Sequence, residues 1–157
     1  MMFMKCKSLI LFFSATILNC SALSTTLSLH GVPVRCINQA AKTYFVPATL
    51  IISVLSAEGG ETGLASKNLN GSYDLGNMQI NTAWLPTLRR YGYTRSMIQN
   101  NPCINVMAGT WILSQAIADA KSYWDGVGDY HSHTQDLNAQ YRLKVRSNYY
   151  TLMKYLT

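Results

Sequence analysis

Apolar positions along this chain recur mostly at helical spacing, with one short stretch that alternates instead. From Pro47 to Ala57 the run PATLIISVLSA has a proline where a first helical turn tolerates it and no later breaker. The pattern predicts a helix that stops at Gly59-Gly60, where a residue without a Cβ closes the end. Cys36 to Phe45 predicts a shorter helix ending before Val46-Pro47, because the residue preceding proline avoids the helical region. Glu61 to Ser72 is rich in Gly, Ser and Asn and reads as a loop. Tyr73 to Asn81 alternates with a slip at Gly76-Asn77, as a small irregular sheet with a bulge or tight turn would. Thr82 is expected to cap a helix running through Leu88, Arg89 and Arg90 to Gly92, and Thr94 to open another. Asn101-Pro102 is a cap followed by proline at the first helical position, and Ile104, Met107, Trp111 and the Ile112 to Ala118 group continue a central buried helix to about Tyr123. Trp124 to His133 carries Gly, Asp and His and reads as a loop. Leu137, Tyr141, Val145, Tyr149, Leu152 and Leu156 trace one face of a terminal helix. The expectation is a mainly α, single helical domain with a small irregular β element.

Composition adds compartment and excludes some partners. The 157 residues are 48% hydrophobic and 13% charged, which suits one compact domain. Residues 1–22 read as a secretory signal: Lys5 and Lys7, an apolar run from Leu9 to Leu18, then small residues ending at Ala22. That run is short of the roughly 20 apolar residues of a membrane span, so the mature chain, 23–157, is expected to be exported and periplasmic, with no stable membrane span after processing. Removing Lys5 and Lys7 from 13 basic residues leaves 11 against 7 acidic ones, a net charge of +4. Without basic clusters this balance does not point to nucleic acid. Cys6 and Cys20 leave with the signal, and Cys36 and Cys103 remain as an even pair in an exported protein, so a disulfide is expected. No Cys or His cluster has ligand spacing, and no structural metal or cofactor is expected.

The candidate chemistry lies at the end of the second helix. Leu50, Val54 and Glu58 fall at i, i+4 and i+8, placing a carboxylate on an aliphatic stripe rather than on the wet face. Burial and the negative end of the helix dipole both disfavour its charged form and push its pKa up, which is what a general acid needs near neutral pH. A structural carboxylate held in an internal network is the alternative reading of the same spacing.

Glu58-Gly59-Gly60, then Asn70-Gly71-Ser72-Tyr73-Asp74-Leu75-Gly76-Asn77-Met78-Gln79-Ile80-Asn81, then Trp84, resemble the catalytic core of lytic transglycosylases with a goose-type-lysozyme-like fold. Within that family the chain resembles the small single-domain members that accompany conjugation, type III and type IV secretion systems and pili. The resemblance implies a lysozyme-like α+β domain acting on peptidoglycan glycan strands. Glu58 would protonate the oxygen between N-acetylmuramic acid and N-acetylglucosamine, then take a proton from the muramic C6 hydroxyl to leave a 1,6-anhydro product. No carboxylate nucleophile is needed, because the substrate's own groups replace it. It also implies that Gln79 and Asn81 hydrogen-bond the sugar, that Met78 and Tyr73 line the cleft, and that Tyr130 and Tyr141 position substrate near the acid; core packing is the other reading for Met78 and Tyr141. The chain departs from the family pattern at Gly59, where serine is common, and at His131, where an amide is common. Two further readings stay open: a lysozyme-like hydrolase using Glu58 with Asp74 or Glu61, and a non-catalytic wall-binding assembly factor.

Overall fold

The computed structural model describes residues 27–156; the signal expected over 1–22 lies outside them. A short antiparallel hairpin, β1 (Ser28–Leu29) and β2 (Val32–Pro33), leads into α1 (Val34–Tyr44) and α2 (Ala48–Glu58). The three-stranded antiparallel sheet of β3 (Ala65–Lys67), β4 (Tyr73–Leu75) and β5 (Ile80–Asn81) follows. A 3-10 turn, Thr82–Trp84, then precedes α3 (Leu85–Arg89), α4 (Arg95–Asn100), α5 (Pro102–Asp119), α6 (Tyr123–Asp129) and α7 (Gln135–Lys154). The architecture is mainly α with a minor β element, as the periodicities predict.

Local chemistry sets most of these boundaries. Phe45 ends α1 in the left-handed region at φ 55°, and Pro47 caps α2 at its start. Gly59 ends α2 at φ 66°, its N–H returning to the carbonyl of Leu55. Thr94 accepts from the N–H of Met97, and Asn101 accepts from those of Cys103 and Ile104, so both predicted caps form. The cap expected of Thr82 belongs instead to Asn81, whose Oδ1 accepts from the N–H of Ala83, while Thr82 Oγ1 accepts from the N–H of Tyr73 across the sheet.

Helix α5 packs against α1, α4 and α6, and α2 packs against α1 and α7. Leu50, Ile51, Val54 and Leu55 of α2 are fully buried with Ile37, Val106, Leu113 and Val145. Each such side chain contributes roughly 1.5–3 kcal/mol by leaving water. The Cys36–Cys103 disulfide joins α1 to the first turn of α5.

Two expectations are corrected. Of the expected loop from Trp124 to His133, only Tyr130 to His133 lies outside a helix: Ser122 accepts from the N–H of Asp125 and starts α6, which runs to Asp129, while α5 ends at Asp119. The glycines that suggested a loop instead permit close packing. A Cβ on Gly126 would meet the backbone of Ile117 at 2.4 Å, and one on Gly128 would meet Asn138 at 2.2 Å. The inner face of α7 begins at Asn138 rather than at Leu137, which is 46% exposed, because Asn138 donates to the Asp125 carbonyl and to Asp129 on α6. Leu156, also placed on that face, is exposed and lies past the helix end.

Candidate active site

Strands β4 and β5, the 3-10 turn and helices α5, α6 and α7 converge on the last residue of α2. The Leu50–Val54–Glu58 stripe does turn inward, with Leu50 and Val54 fully buried and Glu58 half-buried at the wall of a cavity of about 410 Å³. Glu58 shares that cavity with Asp74, Gln79, Ile80, Asn81, Trp84, Ile112 and the segment Asp129 to His133.

Glu58 is an unusual carboxyl. Burial pushes its pKa up to about 7; the hydrogen bond from Tyr141 and the charge of Lys144 oppose that, and the charge of Asp74 adds to it. The Tyr141 hydroxyl donates to Glu58 Oε1 at 2.5 Å. Burial, with the nearby Glu58 charge, holds the Tyr141 hydroxyl itself well above its usual range, so it remains a donor. His131 stacks on the Tyr141 ring at 4.8 Å and 7°, and Tyr130 stacks on it at 6.4 Å.

The opposite wall is the β4–β5 turn. Gly76 at φ 65° and Gln79 at φ 47° reverse the chain within four residues. The left-handed conformation of Gln79 costs on the order of 1 kcal/mol for a residue with a Cβ. Its side chain is fixed at both ends, Oε1 accepting from Ser66 Oγ and Nε2 donating to the Gly76 carbonyl. Asn81 Nδ2 donates to Asp74 Oδ1 at 2.7 Å and to Ser72 Oγ, and Asn68 Nδ2 donates to Asp74 Oδ2. Asp74 is thus oriented by two amides while still bordering the cavity.

This turn is held against α2 by close approach. A Cβ on Gly60 would sit 2.2 Å from the Gly76 carbonyl oxygen and 2.7 Å from Gln79 Nε2. From the other side, the buried Asn105 of α5 accepts from the N–H of Met78 and donates to the carbonyls of Leu75 and Ile98. Asn105 was not legible as a site residue; the available signal was an amide in the middle of an apolar helical run.

The remaining expected site residues divide. Gln79, Asn81 and Tyr130 border the cavity with Glu58, and Tyr141 contacts the acid from behind. Met78 and Tyr73 do not border it. Met78 is fully buried, packs against Gly109, and supplies the carbonyl that accepts from the Tyr130 hydroxyl at 2.8 Å. Tyr73 faces Arg95, whose guanidinium lies 4.9 Å from its ring centroid. The β pleat explains Tyr73, since alternate side chains of a strand point to opposite faces and Asp74 takes the cavity side, whereas Met78 lies in the β4–β5 turn and packs down onto Gly109 of α5. Glu61 is exposed in a different cavity with His30, Gly59 and Asn77, whereas Asp74 shares the space of Glu58.

A half-buried acid at a helix end thus faces a sheet turn across a polar groove in a mainly α, lysozyme-like domain. A family model described as the transglycosylase SLT domain matches residues 35–152, and the chain belongs to that family. It is similar to Invasion protein IagB of Salmonella typhimurium (strain SL1344), 30% identical over 128 residues that cover 78% of this chain and 80% of the relative. Protein IpgF of Shigella sonnei is 31% identical over 116 residues, 73% of this chain and 76% of its own. A peptidoglycan-binding-like protein of Escherichia coli O157:H7 is 27% identical over 143 residues, 86% of this chain and 84% of its own.

Proposed function

We propose that this protein is an exported, periplasmic lytic transglycosylase that cleaves the β-1,4 bond between N-acetylmuramic acid and N-acetylglucosamine and opens the wall locally for a secretion or conjugation apparatus. The observation that carries the reading is Glu58, a carboxyl with a pKa of about 7 in a sugar-sized groove. At neutral pH such a group is present in both protonation states, so it can give a proton and take one back in the same cycle.

In the first step Glu58 donates its proton to the glycosidic oxygen and the bond to muramic C1 breaks. Tyr141 engages Oε1, so the transferred proton belongs on Oε2. In the second step the carboxylate accepts the C6 hydroxyl proton as O6 bonds to C1, which closes the 1,6-anhydro ring and returns Glu58 to its starting form. Gln79 and Asn81 lie across the groove with their amides held in place, which leaves the second Gln79 Nε2 proton and a lone pair on each carbonyl oxygen for a bound sugar, and Tyr130 forms part of the wall. The family membership and the relative named a peptidoglycan-binding-like protein support peptidoglycan as substrate, and the link to a secretion or conjugation apparatus rests on the resemblance carried by the sequence motifs.

The test is digestion of purified peptidoglycan by the mature protein, with muropeptides analysed by mass spectrometry. 1,6-Anhydromuramic ends are expected, and their absence from a digest that proceeds would sink the reaction. Asp74 borders the same cavity and is held by Asn68 and Asn81, so a hydrolase that positions water on Asp74 is the second reading; reducing muramic ends identify it. If Glu58→Gln leaves both digestion and secretion or conjugation unchanged, the protein is instead a wall-binding assembly factor.

A further inference from the structure

Helix α7 meets α2 along a polar seam. Tyr141, Lys144 and Asn148 lie at i, i+3 and i+7, so they share one face of α7. Tyr141 donates to Glu58 Oε1 at 2.5 Å, Lys144 Nζ donates to the Ala57 carbonyl at 2.5 Å, and Asn148 Nδ2 donates to the Ser53 carbonyl at 3.2 Å. The Ala57 carbonyl is among the last four of α2, which have no partner within their own helix. A cation at that end also complements the helix dipole, whose negative pole lies beside Glu58.

We propose that Lys144 is a positioning residue for Glu58, clamping the end of α2 to α7 and supplying a positive charge that offsets the burial of the carboxyl. This deepens the proposed function and rests on Glu58 being its acid. The physical need is balance. Burial and Asp74 make the carboxyl hold its proton more tightly, which weakens it as the base of the second step, and the charge of Lys144 pulls in the opposite direction alongside the Tyr141 hydrogen bond.

Of the charges that act on Glu58, that of Lys144 lowers its pKa and that of Asp74 raises it. Asp74 faces it from β4, Tyr130 from the end of α6, and Asp129, His131 and His133 border the same cavity. On α7, Arg142 pairs with Asp125, and Arg146 lies over Trp124 and Tyr150. The basic residues of α1, Arg35 and Lys42, are exposed, and α2 has no ionisable side chain besides Glu58.

The test is the Glu58 carboxyl carbon followed by NMR through a pH titration of carbon-13-labelled protein without substrate. In Lys144→Met and Lys144→Gln the midpoint is expected to rise by about 0.5 pH unit, a small value because Lys144 is exposed and screened. Lys144→Arg, which keeps the charge, is expected to restore it. The alkaline limb of kcat/KM should move with the midpoint. A midpoint unchanged in folded Met or Gln variants overturns the proposal. If neither variant folds, the wild-type midpoint at low and high salt decides: a rise with salt supports an exposed cation acting on Glu58, and none overturns it. Failure of the transglycosylase reading is seen separately, as wild-type protein that makes no anhydro product while Glu58 still titrates.

Discussion

Replacing Glu58 by Gln keeps the side chain's size and removes the transferable proton, so cleavage is expected to fall at least about 100-fold in the peptidoglycan assay. The same variant reports the energetic cost of the site. The unfolded chain binds this proton with ordinary affinity, whereas the folded protein holds it up to about pH 7. Stability from this group is therefore fully present below about pH 4.5 and is lost as pH rises through 7, by roughly 3 kcal/mol. Thermal unfolding should show Glu58→Gln more stable than wild type at pH 8 and nearly equal to it at pH 4. Tyr141→Phe removes a bond that stabilises the charged form, so it should move the alkaline limb of the activity profile upward. The inward direction of Glu58 was legible because Leu50, Val54 and Glu58 lie within one helix. The bond from Tyr141 was not, since 83 residues separate the partners and only packing of α7 on α2 brings them together.

The β4–β5 turn is the element on which the site depends most. Gly60→Ala would drive a methyl into the Gly76 carbonyl and Gln79 Nε2, displacing the turn from α2. We expect loss of activity larger than loss of secondary structure, measured by digestion beside circular dichroism. Asn105→Leu strands the Met78 N–H and the Leu75 and Ile98 carbonyls, and should lower unfolding stability by about 3 kcal/mol in denaturant titration. The turn itself was readable from Gly76, yet its support was not, because Asn105 acts through backbone groups of two other segments. Helix α6 was misread for a related reason. Gly126 and Gly128 look like loop residues by propensity, but contact with Ile117 and Asn138 selects residues without a Cβ there.

For the molecule as a whole, the Cys36–Cys103 bridge ties the ends of a 67-residue separation. In the chain-entropy account it restrains the unfolded state by about 4 kcal/mol, so reduction should lower the melting temperature, with the groove between α2 and the β4–β5 turn intact below it. Apart from α6, the identity of the elements, their caps at Gly59, Thr94 and Asn101, and the acid at the end of α2 follow from neighbours within a few residues, because helix periodicity and capping are local. Which motif residues reach the groove does not: Met78 lies under the wall, Tyr73 turns to Arg95, and Asp74 comes to face Glu58 only when sheet and helices pack. Proton affinity belongs to that second group, since burial, a distant tyrosine and a distant lysine act on Glu58 through space rather than along the chain.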